Sequence, residues 1–200
     1  TKFRYHVSHI STTESVEIIR KAKKEGLPIT CDTAPPYFML NELSLENYRT
    51  FSKLSPPLRT EEDRNNIING ILDGTIDVIA SDHTPHDQDA KRLPFNQAEF
   101  GGVGLETLLP MTLNLVKNYN LSLTKAISLI TKNPSEILGL KTGKISPDSE
   151  AELIIFDLEK PWKINSDSFH SKSKNSPFDG ILVQGKNLMT FVRGRLVYKS

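Results

Sequence analysis

The 200-residue sequence predicts an α/β protein in which parallel strands are crossed over by helices, followed by a smaller β-rich part. Three observations predict it. Short apolar runs alternate with amphipathic stretches through the first half. Those runs lack the in-and-out alternation of a half-solvated sheet, which suggests a sheet covered on both faces. After about residue 140 helical periodicity gives way to short β-like segments separated by turn residues. A doubly wound sheet and a (β/α) barrel both satisfy this pattern, which does not choose between them.

Residues 3–9 read as a strand leading into a loop. Ser11 offers an N-cap with Glu14 three positions on, the spacing of a capping box. Val16, Ile18, Ile19 and Ala22 then share one helical face, and Gly26 supplies the stop. The next strand is expected over 27–31. A helix starts near Thr60, carries Ile67, Ile68, Ile71 and Leu72 at helical spacing, and stops at Gly74. Residues 75–80 follow as a nearly continuous apolar strand. A long loop, 87–104, precedes a helix over 105–117, and 122–131 and 134–138 are the last helical stretches. Four β-like segments, 152–156, 180–183, 189–192 and 195–198, close the chain, with turns at Gly185, Gly194 and the Asn187 region. The expected division is 1–140 for the α/β part and 141–200 for the β-rich part.

Composition excludes several classes. With 25 Lys and Arg against 24 Asp and Glu, the chain lacks the basic excess of a phosphate-tracking surface, so nucleic acid is not the expected partner. The short cluster of Lys172 and Lys174 is diluted by Asp167 and Asp179 and reads as a solvated loop. One cysteine, Cys31, rules out an intrachain disulfide, fits a reducing compartment, and reads as a small core filler. No apolar run approaches the roughly 20 residues that span a bilayer, and no signal peptide opens the sequence. The sequence starts at Thr1, without methionine and close to a strand, as a piece of a longer chain would.

In parallel α/β architectures reactive groups gather at the C-terminal ends of strands. His9 closes the first strand, residues 32–37 follow the second, and Ser81-Asp82-His83-Thr84-Pro85-His86 follows the third. Asp82, directly after an apolar strand, is drawn towards a low-dielectric interior where an unpaired carboxylate is costly. A metal or a cationic partner resolves that cost, and a turn or N-cap aspartate is the alternative. Histidines beside it suit zinc. His9 reads either as a ligand or as a hydrogen-bonded structural residue. His6, three positions earlier, is placed by strand alternation on the opposite face and treated as structural, and His170 as a surface residue. A catalytic zinc takes about three protein ligands. Only His9 and Asp82 are well placed, with His83 and His86 as extras, so further ligands are expected outside this sequence. The loop 87–104 is expected to act as a partial lid.

Read with His9-Ile10-Ser11-Thr12 and Phe100-Gly101-Gly102-Val103-Gly104-Leu105-Glu106-Thr107, the 81–86 element resembles dihydroorotases of the amidohydrolase superfamily, class I type, which also associate with aspartate carbamoyltransferase. Ser55-Pro56-Pro57-Leu58-Arg59, Asp73-Gly74-Thr75-Ile76-Asp77 and the stretch from Ser173 to Gly180 support the resemblance, which runs in order through nearly the whole sequence.

The resemblance implies the C-terminal part, strands six to eight, of a metal-dependent hydrolase (β/α)8 TIM barrel, with a small β subdomain. It implies one or two zinc ions, with the remaining ligands upstream of Thr1. His9 looks like the sixth-strand metal ligand, and Asp82 like the eighth-strand ligand and catalytic base. His86 resembles the residue that meets the substrate carboxylate, and the backbone of Phe100 and Gly101 the part that meets the ring. Ser55 stands where the family commonly has a substrate-contacting asparagine, and Pro35-Pro36-Tyr37 where it commonly has Pro-His-His. The implied reaction is the reversible cyclisation of N-carbamoyl-L-aspartate to L-dihydroorotate in de novo pyrimidine biosynthesis. A cytoplasmic homo-oligomer is expected, with aspartate carbamoyltransferase as a further partner. The alternatives are a non-catalytic scaffold for that transferase, which the changes at Ser55 and Pro36 would permit, or another cyclic-amide hydrolase acting on hydantoins or allantoin.

Overall fold

Three parallel strands, β1 (Tyr5–Val7), β2 (Ile29–Thr33) and β3 (Val78–Ile79), lie side by side in that order in a computed structural model that describes residues 3–200. Parallel pairing is what the helical connections predict, but the strands are shorter or shifted. The expected 3–9, 27–31 and 75–80 become three, five and two residues of ladder. The shift of β2 matters, because it puts Asp32 inside the strand.

Helix α1 (Thr13–Lys24) is capped by Thr12, whose hydroxyl accepts from the Ser15 amide at 3.2 Å. The expected cap, Ser11, is buried instead. A short helix α2 (Pro35–Met39), started by its two prolines, and two 3-10 turns (Glu42–Tyr48 and Thr50–Ser52) fill the connection to α3 (Glu61–Asp73). Thr60 caps α3 and Gly74 ends it, as the sequence predicts. Val16 and Ile19 of α1, Ile67 and Ile71 of α3, and Ile76, Val78 and Cys31 are all buried, and burial of each such side chain stabilises by about 1.5–3 kcal/mol. Burial pushes the Cys31 thiol up to about 12, so it is an inert filler. The segment 87–104 is not structureless: it contains α4 (Gln88–Arg92) and a turn in which the amides of Gln97 and Ala98 both donate to the Pro94 carbonyl.

Helices α5 (Leu108–Tyr119), α6 (Leu123–Ile130) and α7 (Lys132–Leu138) precede an antiparallel sheet of β4 (Leu153–Lys163), β5 (Leu182–Val192) and β6 (Arg195–Lys199). The expected strands at 180–183 and 189–192 are one strand, β5. It passes through Gly185, whose carbonyl accepts from the Trp162 indole at 2.9 Å.

Contacts divide the chain differently from a cut at 140. One unit runs up to Leu108 and takes in Asn165–Gly180; the other is Leu109–Ile164 with Ile181–Ser200. The reason is local bonding. Asn175 holds the main chain of residues 101–103, and the Ser171 amide donates to Glu106, so the 165–180 excursion belongs to the first unit. Among the described residues no helix is long and apolar enough to cross a membrane.

Candidate active site

The candidate site lies at the C-terminal end of the parallel sheet. Past the last ladder pairs, the Ile10 amide donates to the Asp32 carbonyl at 2.9 Å and the Ala80 amide to the Thr33 carbonyl at 2.8 Å. These bonds hold the three strand ends level. The register pairs His6 with Thr30, and Asp32, two positions on, shares their face.

Asp32 is the hub of this end. Its carboxylate accepts from His9 Nδ1 at 2.5 Å, from Ser8 Oγ at 2.5 Å and from His6 Nε2 at 2.9 Å. The expectation that His6 and His9 face opposite sides therefore fails. Alternation governs only the ladder, which ends at Val7, and beyond it the chain turns the His9 ring back onto the carboxylate that His6 also reaches. Burial pushes the Asp32 carboxyl up, but the bonds from His9, Ser8 and His6 outweigh it and hold the group below its ordinary range.

A carboxylate can only accept, so these contacts fix the proton positions. His6 carries its proton on Nε2 and accepts from the Thr30 hydroxyl on Nδ1 at 2.7 Å. His9 carries a proton on Nδ1, which leaves Nε2 facing Asp82 Oδ1 at 3.7 Å. In a neutral ring that nitrogen presents a lone pair to a carboxylate, an arrangement that calls for a positive charge between them. The Asp32 hydrogen bond, opposed by burial, raises the His9 pKa. Burial likewise pushes the Asp82 carboxyl up, against the lowering effect of the His9 charge and the Tyr37 and Thr84 bonds.

Asp82 sits at φ +46°, a left-handed conformation uncommon for a residue with a side chain. Its surroundings impose that geometry. A Cβ at Gly104 would overlap the Ser81 carbonyl oxygen, so only glycine lets residues 81–82 and 104 come this close. Tyr37, almost fully buried, directs its hydroxyl at Asp82 Oδ2 (3.3 Å) and the Pro56 carbonyl (3.0 Å). Burial and then the Asp82 charge push the phenol far above its ordinary range, so it stays a donor.

The structure brings together three of the four residues expected to touch substrate. His86 Nε2 donates to the Phe100 carbonyl at 2.6 Å, and its amide lies 3.4 Å from Asn175 Oδ1. Gly101 takes φ +122° against Thr84, whose Cγ2 would stand 2.6 Å from an added Cβ. The Gly101 amide donates to the Lys53 carbonyl, and its own carbonyl accepts from Lys91 Nζ and Asn175 Nδ2. Its polar groups are therefore used, and any contact to a ring there is close main-chain approach. Ser55, the fourth, is exposed beside Pro56. The extra candidate His83 accepts from the Gly104 amide on Nδ1 at 3.2 Å, and His170 is exposed.

The donor set around His9 fits a metal. Ligand lengths of about 2.0–2.2 Å to nitrogen and oxygen allow two atoms 3.7 Å apart to share one ion, and a histidine whose other nitrogen donates to a carboxylate is the usual ligand arrangement. Among the described residues no group of three or more His, Cys, Asp or Glu side chains is placed to hold one.

Sequence reasoning placed 32–37 among the strand-end candidates but gave no individual role to Asp32 or Tyr37, and none to Lys53, Lys91 or Asn175. For Asp32 a signal existed: it is an acid near the end of the strand adjoining the one that ends before His9. The others are recognisable only through contacts 8 to 89 residues away in sequence, such as Lys91 with Glu99, Tyr37 with Asp82 and Asn175 with His86.

Comparison with known proteins shows which family shares this sequence and fold. The model of the amidohydrolase family matches residues 3–197. A dihydroorotase from Anaplasma phagocytophilum is 50% identical over 196 residues, 98% of this chain and 44% of the relative. One from Desulforapulum autotrophicum is 43% identical over 199 residues, 100% of this chain and 46% of the relative. The chain thus spans about half the length of the curated relatives it matches. Among solved structures, L-hydantoinase (dihydropyrimidinase) from Arthrobacter aurescens superposes with a TM-score of 0.91 at 33% identity, over 98% of this chain and 45% of that one. Dihydropyrimidinase from Brevibacillus agri NCHU1002 shares the fold, with a TM-score of 0.92 at 22% identity over 99% of this chain and 45% of that one. With parallel strands, strand-end histidine and aspartate, and a family match across nearly its whole length, the chain belongs to the amidohydrolase family.

Proposed function

We propose that this chain is the C-terminal portion of a dihydroorotase, which interconverts N-carbamoyl-L-aspartate and L-dihydroorotate in de novo pyrimidine biosynthesis. In that reading β1, β2 and β3 are strands six, seven and eight of a (β/α)8 barrel. Residues 1–140 are assigned to the barrel part and 141–200 to the β-rich subdomain by the sequence pattern, although contacts group 109–164 with 181–200 and 165–180 with the first unit. The observation that carries the reading is the approach of His9 Nε2 to Asp82 Oδ1 at 3.7 Å, with Nδ1 already committed to Asp32. The relatives named dihydroorotase at 50% and 43% identity support it.

His9 and Asp82 are the residues of this chain that would hold the metal, with residues outside it completing the set. Zinc held there would supply Lewis-acid polarisation of the ring amide carbonyl and a more acidic attacking water. Asp82 accepts the proton of that water and returns it to the ring nitrogen as the carbon–nitrogen bond breaks. Cyclisation runs the same proton path backwards and releases water. Tyr37 orients the Asp82 carboxylate, and Asp32 orients the His9 ring. His86 meets the substrate carboxylate, the main chain of Phe100 and Gly101 lies against the ring, and Ser55 supplies a shorter polar contact in place of asparagine. The protein works as a cytoplasmic homo-oligomer, with aspartate carbamoyltransferase as a further partner.

The test is the complete protein assayed for ring opening of L-dihydroorotate and for bound zinc. Asp82→Asn is expected to cost turnover by a factor on the order of 10²–10⁴, the range for a lost general base. Near-normal turnover in that variant overturns the proton path. Activity on hydantoin or allantoin alone, which the hydantoinase likeness makes the next reading, overturns the substrate. An inactive, zinc-free protein that still assembles with the carbamoyltransferase would make it a scaffold.

A further inference from the structure

Two lysines outside the proposed chemistry are buried with their ammonium groups on main-chain oxygens. Lys91 is fully buried and Lys53 is 8% exposed. Neither forms an ion pair with a carboxylate among the described residues. A buried ammonium costs several kcal/mol unless its donors are satisfied. Here the satisfaction is complete. Lys91 Nζ bonds the carbonyls of Glu99 (2.7 Å), Gly101 (3.0 Å) and Lys53 (3.4 Å). Lys53 Nζ bonds those of Ala98 (2.5 Å), Phe95 (2.7 Å) and Asn96 (3.3 Å). Each ammonium has three donors, and each spends them on three main-chain carbonyls. Lys53 Nζ also lies 4.4 Å from the centre of the Phe100 ring, within cation–π range.

The two cations share one segment, 95–101, and tie its ends together. The Gly101 amide donates to the carbonyl of Lys53 itself, and the Glu99 amide to Ala90, one residue before Lys91. The next carbonyl in this wrapped segment, that of Phe100, is the one that receives His86 Nε2. Five carbonyls between residues 95 and 101 are thus tied to the two ammonium groups.

We propose that Lys53 and Lys91 are positioning residues for the substrate site: the ammonium pair moulds the 95–101 main chain so that the Phe100 carbonyl aims His86 and the Gly101 backbone stands at a fixed place against the substrate. This rests on the functional reading above for what His86 meets. The wrapping of the loop around two cations stands on the bonding alone.

The experiment uses the complete enzyme with Lys91→Met, Lys53→Met, His86→Ala and the double variant His86→Ala with Lys91→Met, and measures kcat, KM for L-dihydroorotate and zinc content. Lys91→Met is expected to raise KM tenfold or more, with kcat within about threefold and zinc unchanged. In the His86→Ala background the same substitution should add clearly less than its effect in the parent, because the share that acts through the His86 ring is already lost and only the Gly101 backbone remains. An unchanged KM in a folded Lys91→Met protein, or full additivity in the double variant, overturns the proposal. If the lysine variants do not fold, amide exchange of the parent without substrate decides: the Glu99 and Gly101 amides should be strongly protected. Exchange as fast as in a free loop overturns it. A parent protein without dihydroorotase activity defeats the functional reading, and exchange then still tests the clamp.

Discussion

Replacing Asp32 with asparagine should weaken zinc binding about tenfold while leaving the protein folded. Three donors converge on this carboxylate: His9 Nδ1 and Ser8 Oγ at 2.5 Å and His6 Nε2 at 2.9 Å. An asparagine can keep its oxygen towards His9 and turn its amide towards Ser8, whose hydroxyl rotates to accept, and towards His6. His6 can then take the other tautomer and donate to the Thr30 hydroxyl, 2.7 Å away. Every partner is satisfied, and what disappears is the charge. A hydrogen bond to a charged group contributes about 1.5–3 kcal/mol against about 0.5–1.5 for a neutral one. The His9 bond therefore loses about 1–1.5 kcal/mol, which is a factor of about ten in the affinity of a metal held on Nε2. Removal of such outer partners elsewhere costs 10–100-fold, so the figure lies at the lower edge of that range. The assay is competition between the enzyme and a chromogenic zinc chelator near neutral pH, with thermal unfolding of the metal-free protein as the control for folding. A folded Asp32→Asn protein whose zinc affinity stays within twofold of the parent would refute the hub role of this carboxylate.

Three other substitutions probe different parts of the site and its frame. Gly104→Ala forces a Cβ into the Ser81 carbonyl beside Asp82, so a loss of about 1–3 kcal/mol in unfolding free energy is expected, with turnover falling further than stability explains; an alanine protein with parental melting and turnover contradicts the close approach. Tyr37→Phe removes the donor to Asp82 Oδ2 and the Pro56 carbonyl, and about 1 kcal/mol of lost bonding predicts a several-fold fall in kcat at unchanged zinc content, measured by steady-state kinetics. Glu61, at the start of α3, is held down to about 2 by its bonds to Arg64 and then Asn41. Its folded pKa lies below the unfolded value, so its contribution is present above about pH 4.5 and fades as pH falls towards 2. Denaturant unfolding of Glu61→Gln against the parent should show a gap below about 1 kcal/mol at neutral pH, as befits an exposed pair, that closes by pH 2; a gap independent of pH contradicts it.

The amino-acid sequence alone determined the parallel α/β character, because apolar runs and helical spacing are local patterns that burial acts on directly. It also determined the ends of α3, since Thr60 and Gly74 act within one turn of chain. His9 and Asp82 were legible as strand-end groups for the same reason: each follows an apolar run whose direction sets where the chain emerges. Alternation misplaced His6, because its rule stops where the ladder stops, and ladder length depends on neighbouring strands. What only the tertiary structure decided was partnership. Asp32 gathers two histidines from 23 and 26 residues away, Tyr37 reaches Asp82 across 45, and two lysines wrap a loop whose carbonyls lie 8 to 45 positions on. None of these pairings has a local signature. A carboxylate, a phenol or an ammonium can be satisfied by many donors and acceptors, and only the packed backbone selects which of them is within 3 Å.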